Sequence, residues 1–553
     1  MGLKLLVKER AAHLDNHRIA RLPTHRMVLL RRRAQSSMLS TASCPDRTGP
    51  SAKQPIKNSE KIRKFPQEIP LQTSNRKTIH WIETSSIVYL AAPLLLFFAF
   101  FIRISLAIPA CLFITFCLIN IACKTNWHPL HRFSPQVFYA LSLAATWLWL
   151  AGNFGELTQN SDWIKHYALL NYLAMHPWPA VATVDGLDGQ WVVRYSLGWY
   201  IVPAFALKYL NPHAQRLISG IWSLIGLFLF FRMLLTLISG RRAKIITPLI
   251  FIVFSGADVI GTALTHFRMG PIYHLEWWNG WIEYGSSMTS LFWVPQHAIA
   301  VWLGIAMLMR QDRIPTLSPY LIFLFSAIAF WSPFAAIGLA PFGAWLMWQN
   351  GVRKTVLNWR PIVTVMLLIA PLFLYFSASS GQIPHGFIWT SANRCVSGVT
   401  GAPCFSWTSY LLFIAVEFAV PTIILLLART RYKAMLIIAA TSLLLIPLYR
   451  LGASNDFGMR VSMAGLAVIA ILSGEVISTG PPAAAVAMAV ALAFGLPTPG
   501  GEVARAFADT SSADVNSNLE KSLNDHPEVL IQYFARLPVS VLRPRSSEIV
   551  DAR

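Results

Sequence analysis

The chain has 553 residues, 55% of them hydrophobic and only 13% charged, about half the charged fraction of an ordinary soluble domain. Its mean hydropathy is +0.49. The net charge of +21 would suit a nucleic-acid partner, but its placement excludes one. Much of the excess lies in the first 80 residues, and the rest in short clusters between apolar runs: Arg241-Arg242-Lys244, Arg310/Arg313, Arg353-Lys354-Arg360 and Arg429-Arg431-Lys433. Basic residues in short loops mark the cytoplasmic ends of membrane spans.

Residues 1–80 are rich in Ser, Pro, Arg and Lys without apolar periodicity, which predicts a disordered basic segment. Apolar runs then recur at 85–102, 104–123, 136–153, 216–238, 245–265, 291–309, 317–333, 335–349, 361–378, 409–428, 434–450, 460–478 and 482–497. Runs of this length, without strand alternation, predict an all-α polytopic transmembrane bundle of about 11–13 spans. The transmembrane domain is expected over 81–497, with a tail from 498 to 553. The first two spans are separated by little more than Arg103, which requires a very tight hairpin. The apolar stretch 197–210 is too short to cross and would invert the sidedness of Arg241-Arg242-Lys244, so it predicts an interfacial or re-entrant helix.

Placing the basic clusters inside puts 154–215, 266–290, 379–408, 451–459 and the tail outside. Outer segments therefore carry the candidate chemistry. In ELTQNSDWIKHYALL (156–170), Glu156, Asp162, Lys165 and His166 stand at helical spacings, with Asp162 and His166 four residues apart on one face. Partial burial of Asp162 against apolar surface is expected to raise its pKa. Arg194 follows later in the same loop. Gln296 and His297 open a span at its outer end. Asn455, Asp456 and Arg460 sit at another helix mouth, where Asp456 is a plausible N-cap and an i, i+4 partner for Arg460. Arg460 could instead offer its fork to a phosphate. His274 and Glu276 make a weak metal signal. Cys395 and Cys404 share one outer loop and are expected to pair.

The long first outer loop with Glu156 and Asp162, the juxtamembrane stretch 197–210, the span opening at NPHAQRLISG (211–220) and the outward tail resemble the glycosyltransferase C superfamily. WVPQH (293–297) and SNDFGMR (454–460) look like stretches of uncharacterised bacterial membrane proteins placed near it. The resemblance implies transfer of a sugar from a polyprenyl-phosphate donor to a lipid or surface-glycan acceptor at the outer face of the cell inner membrane. It implies Asp162 as catalytic base, with Glu156 second. Arg460, with Lys165 or Arg194, would hold the phosphate. Gln296 and His297 would contact phosphate or sugar, and His166, Asn455 and Asp456 are further candidates. It leaves room for a divalent cation as cofactor without naming metal ligands in the chain. A transporter or flippase for a lipid-linked or anionic solute, or a polysaccharide polymerase or ligase, is the rival reading. Glu417, alone within an apolar span, favours transport.

Overall fold

The computed structural model describes residues 79–127, 134–184, 187–211, 213–265, 274–280, 282–310, 314–353, 358–390, 404–452, 455–508, 513–517, 519, 533–536 and 541–543. The basic segment lies outside the described residues except for Ile79–His80, a two-residue strand β1. It pairs in parallel with β2 (Thr125–Asn126) and leads into the first helix.

Every expected span is helical. α1 (Trp81–Phe101) opens with a capping box in which the His80 side chain and Glu83 satisfy backbone donors reciprocally. α2 (Ile104–Cys123) follows after two residues, so the tight turn at Arg103 is real. It is pinned by the tail, since the Arg103 N–H donates to the Val541 carbonyl (3.0 Å) and its Nε to Leu542 (3.3 Å). α3 is Pro135–Leu150. In the outer loop, α4 (Asp162–Met175) precedes a β3 (Val181–Val184) and β4 (Leu187–Val193) hairpin and the short α5 (Ile201–Tyr209). The apolar stretch 197–210 thus forms a nine-residue helix rather than a crossing.

α6 (Gln215–Leu237) is continuous, whereas α7 (Arg241–Val253) and α8 (Asp258–Thr265) are two halves separated by Phe254–Ala257. α9 (Ser287–Trp293) and α10 (Pro295–Met309) are broken at Val294. Then come α11 (Ser318–Trp331), α12 (Pro333–Gln349), α13 (Trp359–Ser377), α14 (Trp407–Leu427), α15 (Lys433–Leu448) and α16 (Asp456–Thr479). α17 (Pro482–Ala493) and α18 (Pro497–Ala508) meet at a 42° bend. β5 (His385–Phe387) pairs with β6 (Tyr449–Leu451), and β7 (Phe534–Arg536) adds to β4.

Among the described residues, seven helices are long and apolar enough to cross a membrane, or eight if the bent pair is one span. The remaining apolar helices are shorter and fill the bundle between them. The protein is a multi-pass membrane protein. α2 turns Ile104, Ile108, Leu112 and Ile119 outward, a stripe at helical spacing that suits lipid. α16 is the opposite case: 89% of its apolar window is buried, packed by α7, α10, α15 and α17. Gly474 lets it approach α7, since a Cβ there would lie 2.7 Å from the Thr247 Cα. Close backbone approach at small residues is how helices gain packing without a hydrophobic driving force.

α13 and α14 each contain one π turn, at Val365–Ile369 and Ala415–Ala419. Each lies four residues before a proline, Leu367 before Pro371 and Glu417 before Pro421. A proline lacks the donor for the carbonyl at i−4 and crowds it, and widening by one residue relieves the clash.

The bundle has two electrostatically distinct ends. Along α16, Arg460 lies at the start and Glu475 near the end, where it pairs with Arg431 (2.6 Å). Along α10, His297 lies at the start, and Arg310 just past the end pairs with Glu83 (3.1 Å). The basic clusters gather opposite the Asp162 loop. An introduced cysteine replacing exposed Glu156 should therefore react with an impermeant thiol reagent on intact cells, and one replacing Arg241 only after permeabilisation. The reverse pattern would invert the sidedness of every loop.

Candidate functional site

The break between α9 and α10 organises the outer end. Pro295 disfavours helical geometry at the residue before it, and Val294 turns out of the helix (φ −145°), so the Phe292 and Trp293 carbonyls are left without intrahelical partners. The first outer loop fills them. Asn160 Nδ2 and Trp163 Nε1 both donate to the Phe292 carbonyl (2.8 Å each), and His166 Nε2 lies 2.9 Å from the Trp293 carbonyl. A carbonyl can only accept, so Nε2 carries the proton, and His166 Nδ1 accepts from the Tyr200 hydroxyl at 2.5 Å. Burial, reinforced by the Lys165 ammonium, pushes the imidazole down to about 3. His166 is thus a neutral pin with both nitrogens engaged.

Docked in this way, α4 presents Asp162 and Lys165 to a partly open recess. The Asp162 backbone N–H is capped by Asn160 Oδ1 (3.0 Å), and Lys165 Nζ donates to Asp162 Oδ2 (3.1 Å). From α16, Arg460 reaches the same recess while bound to Asp456 Oδ1 (2.9 Å). The four charged side chains retain 12–27% exposure. Burial acts to raise the Asp162 carboxyl. The Lys165 ammonium, with Arg460, outweighs it and holds the group below the usual carboxylate range. The upward shift expected from burial alone is overturned because the i+3 lysine shares the recess. Burial would lower Lys165, but Asp162 with the Tyr533 and Tyr195 hydroxyls holds it well above its ordinary value. Both partners are charged at neutral pH.

His297 faces the same two cations, Arg460 and Lys165. Its Nδ1 lies 2.6 Å from Ser332 Oγ, the hydroxyl that caps α12. Gln296 Nε2 donates to the Tyr195 hydroxyl (3.3 Å), while its buried Oε1 has no partner. Asn455 is the residue before α16, left-handed at φ 54° and without a side-chain capping bond. Asp456 is therefore the first helical residue rather than the N-cap, and its carboxylate goes to Arg460.

The structure brings Asp162, Lys165, Gln296, His297, Asp456 and Arg460 to one recess, with His166 pinned behind and Asn455 at the rim. Glu156 lies exposed in the turn before α4, and it is not among the charges facing Asp162. Arg194 is buried, donating from Nη1 to the Phe376 carbonyl (3.1 Å) and from its backbone to Tyr533 (2.7 Å). It anchors the loop and tail.

Sequence reasoning missed Tyr195, Tyr200 and Tyr533. β7 adds to the edge of β4 and carries Tyr533 into the recess, with its ring 4.8 Å from Tyr195 and 5.9 Å from Lys165 Nζ. The aromatic and β-branched run VLIQYFARL (529–537) was the available strand signal. The tail is folded back onto the outer loop. Cys404 is disulfide-bonded, and Cys395 lies outside the described residues. Among the described residues, no group of three or more His, Cys, Asp or Glu is arranged to hold a metal ion. No family model matches the chain, and neither a characterised protein nor a solved structure is significantly similar.

The His166 pin has a pH consequence. Its folded pKa of about 3 lies below the roughly 6.5 of an unfolded histidine. The contribution is fully present above pH 6.5 and is lost as pH falls toward 3, because only the unfolded chain takes up the proton. His166→Gln keeps one donor and one acceptor without titrating, so thermal unfolding across that window should depend less steeply on pH. Identical pH profiles would show that His166 takes up its proton as readily in the fold as in the unfolded chain, and that the pin is not neutral by burial.

Proposed function

We propose that the chain is a membrane glycosyltransferase, moving a sugar from a polyprenyl-phosphate donor to a lipid or surface-glycan acceptor on the outer face of the inner membrane. The observation that carries this reading is the convergence of one ionised carboxylate, Asp162, with two cations, Lys165 and Arg460, in a partly open recess. Lipid-facing helices of the same bundle, such as α2, are where a prenyl chain would lie.

In the proposed reaction the acceptor oxygen attacks the anomeric carbon and inverts it. Its proton passes to Asp162 Oδ2 or Oδ1, and the bond from carbon to phosphate oxygen breaks with its electrons on the phosphate. Lys165 and Arg460 neutralise the charge that develops there, Arg460 by a planar fork that suits two phosphate oxygens. As Lys165 turns toward phosphate, Asp162 loses its strongest counter-charge and becomes a better base at the moment it is needed. Tyr195 and Gln296, already hydrogen-bonded to each other, would orient sugar hydroxyls. General-base catalysis contributes about 10²–10⁴-fold.

Mass spectrometry of surface glycans and lipids in a deletion strain should identify the missing acceptor product, and complementation then scores variants. Asp162→Asn should lose transfer by about 10²-fold or more with normal insertion and thermal stability. Lys165→Ala and Arg460→Ala should mainly weaken donor binding, and Glu156→Gln should leave transfer intact. Full activity in Asp162→Asn would remove this loop from the chemistry.

A second reading, a transporter for a lipid-linked or anionic solute, is favoured by Glu417, which sits at the centre of α14 in a π turn. Uptake or flipping by the purified chain in vesicles, unaffected by Asp162→Asn, would select it.

A further inference from the structure

Three helix interruptions meet inside the bundle, away from the outer recess. The first is the Phe254–Ala257 gap between α7 and α8, and the second the π turn of α14. The third is the Phe494–Leu496 bend between α17 and α18. They are locked together. The Ala257 N–H donates to the Val416 carbonyl (3.0 Å). A Cβ on Gly495 would lie 2.8 Å from the Ser255 carbonyl oxygen and 3.0 Å from that of Gly256, and one on Gly256 would collide with Glu417 Oε2.

Two carboxyl groups occupy this junction. Asp258 is fully buried and Glu417 is 1% exposed, and each lies within hydrogen-bonding reach of the other. Asp258 Oδ2 accepts from Ser255 Oγ (2.9 Å) and Thr498 Oγ1 (2.7 Å), and Glu417 Oε1 accepts from Trp278 Nε1 (2.9 Å). Among the described residues, Asp258 Oδ1 and Glu417 Oε2 have no other donor. The nearby cations are engaged elsewhere: His274 Nε2 with Glu502 Oε1 (2.9 Å) and Nδ1 3.5 Å from Glu276 Oε2, and Arg505 with Glu502. Two bare carboxylates cannot share a low-dielectric junction, because repulsion and desolvation act in the same direction. Something positive must sit between them.

We propose that the Asp258–Glu417 pair is a binding site for one small monovalent cation, a proton or a sodium ion. The free carboxyl oxygens and the Ser255 and Thr498 hydroxyls line the site, with the helix gap of Phe254–Ala257 packed against it. Interrupted helices supply such sites in membranes because they release backbone carbonyls where the protein can use them. A titratable ladder joins the pair to the outer end. Glu276 is fully buried, with Oε1 accepting from the Ser286 N–H and Thr289 Oγ1 (2.7 Å each) and Oε2 without a hydrogen-bond donor. It feels Asp258, Glu283, His274 and Glu502, and burial pushes its carboxyl up to about 8. His274, raised by the Glu502 carboxylate against burial, is the next step. Trp293 Nε1 then donates to Glu502 Oε2 (3.2 Å). The site belongs to the bundle whichever activity the outer recess has.

The test uses the full chain in lipid nanodiscs. Infrared difference spectra between acidic and alkaline pH are compared for the wild type, Asp258→Asn and Glu417→Gln. Thermal unfolding is followed in parallel as sodium replaces choline at constant ionic strength. A protonated-carboxyl carbonyl band that disappears in Glu417→Gln, with no sodium effect, identifies the ion as a proton. A melting temperature that rises with sodium in the wild type but not in Glu417→Gln identifies sodium. Should Glu417→Gln fail to insert, Asp258→Asn makes the same comparison; an acid band that survives unchanged in Asp258→Asn belongs to Glu276 and, with no sodium-dependent shift, overturns the site. A wild type with neither signal overturns it.

Discussion

The outer half of this protein depends on the carbonyls left unpaired where the chain leaves the helix at Val294, just before Pro295. A buried carbonyl left unpaired costs about 1–3 kcal/mol, and the α9–α10 break exposes those of Phe292 and Trp293. Asn160, Trp163 and His166 meet them with three hydrogen bonds, all from one turn and a half of sequence around the start of α4. Because these bonds come from both sides of Asp162, they fix the rotation of α4 as well as its position. The carboxylate is thereby aimed at the recess, and the histidine four residues on is consumed as a structural donor and acceptor.

Charge inside the recess is balanced pairwise. Asp162 holds Lys165 and Asp456 holds Arg460, each pair within a single helix, at i, i+3 and i, i+4. Such local pairs stabilise a helix only slightly, so exchanging a carboxylate for a phosphate oxygen costs little. Tyr533 and Tyr195 lie over these charges without replacing them, and Tyr533 arrives through strand pairing of the tail with β4. The chain's last described segments therefore complete a site begun some 370 residues earlier.

Much of this was legible. Each span announced itself by unbroken apolar length, and the hairpin at Arg103 followed from the absence of any linker. The recess residues were visible as polar side chains at the mouths of apolar helices, and the positive-inside rule put those mouths at one end. Three things were not legible. The ionisation of Asp162 depends on a sum of burial and neighbouring charge whose sign only the geometry decides. Tyr533 is joined to the recess by long-range strand pairing, which leaves no local periodicity beyond a short β-prone run. Asp258 stands inside the apolar run 245–265, and no local pattern joins it to Glu417, which lies 159 residues away. A proline four residues after Glu417 did mark the π turn in advance, as one four residues after Leu367 marked the other.

The recess and the buried carboxyl junction share a wall. α9 begins where Ser286 and Thr289 bond to Glu276 and ends where Trp293 bonds to both systems, its indole to Glu502 and its carbonyl to His166. A helix of seven residues (Ser287–Trp293) is too short to bend, and Pro295 frees its far end from α10. Any shift of α9 on a change of charge at Glu276 or Glu502 must therefore be taken up by the bonds that hold α4. A contiguous, hydrogen-bonded element of this kind is one physical route by which two sites can be coupled. Trp293 is the residue common to both, since its backbone serves the outer site while its side chain serves the inner one.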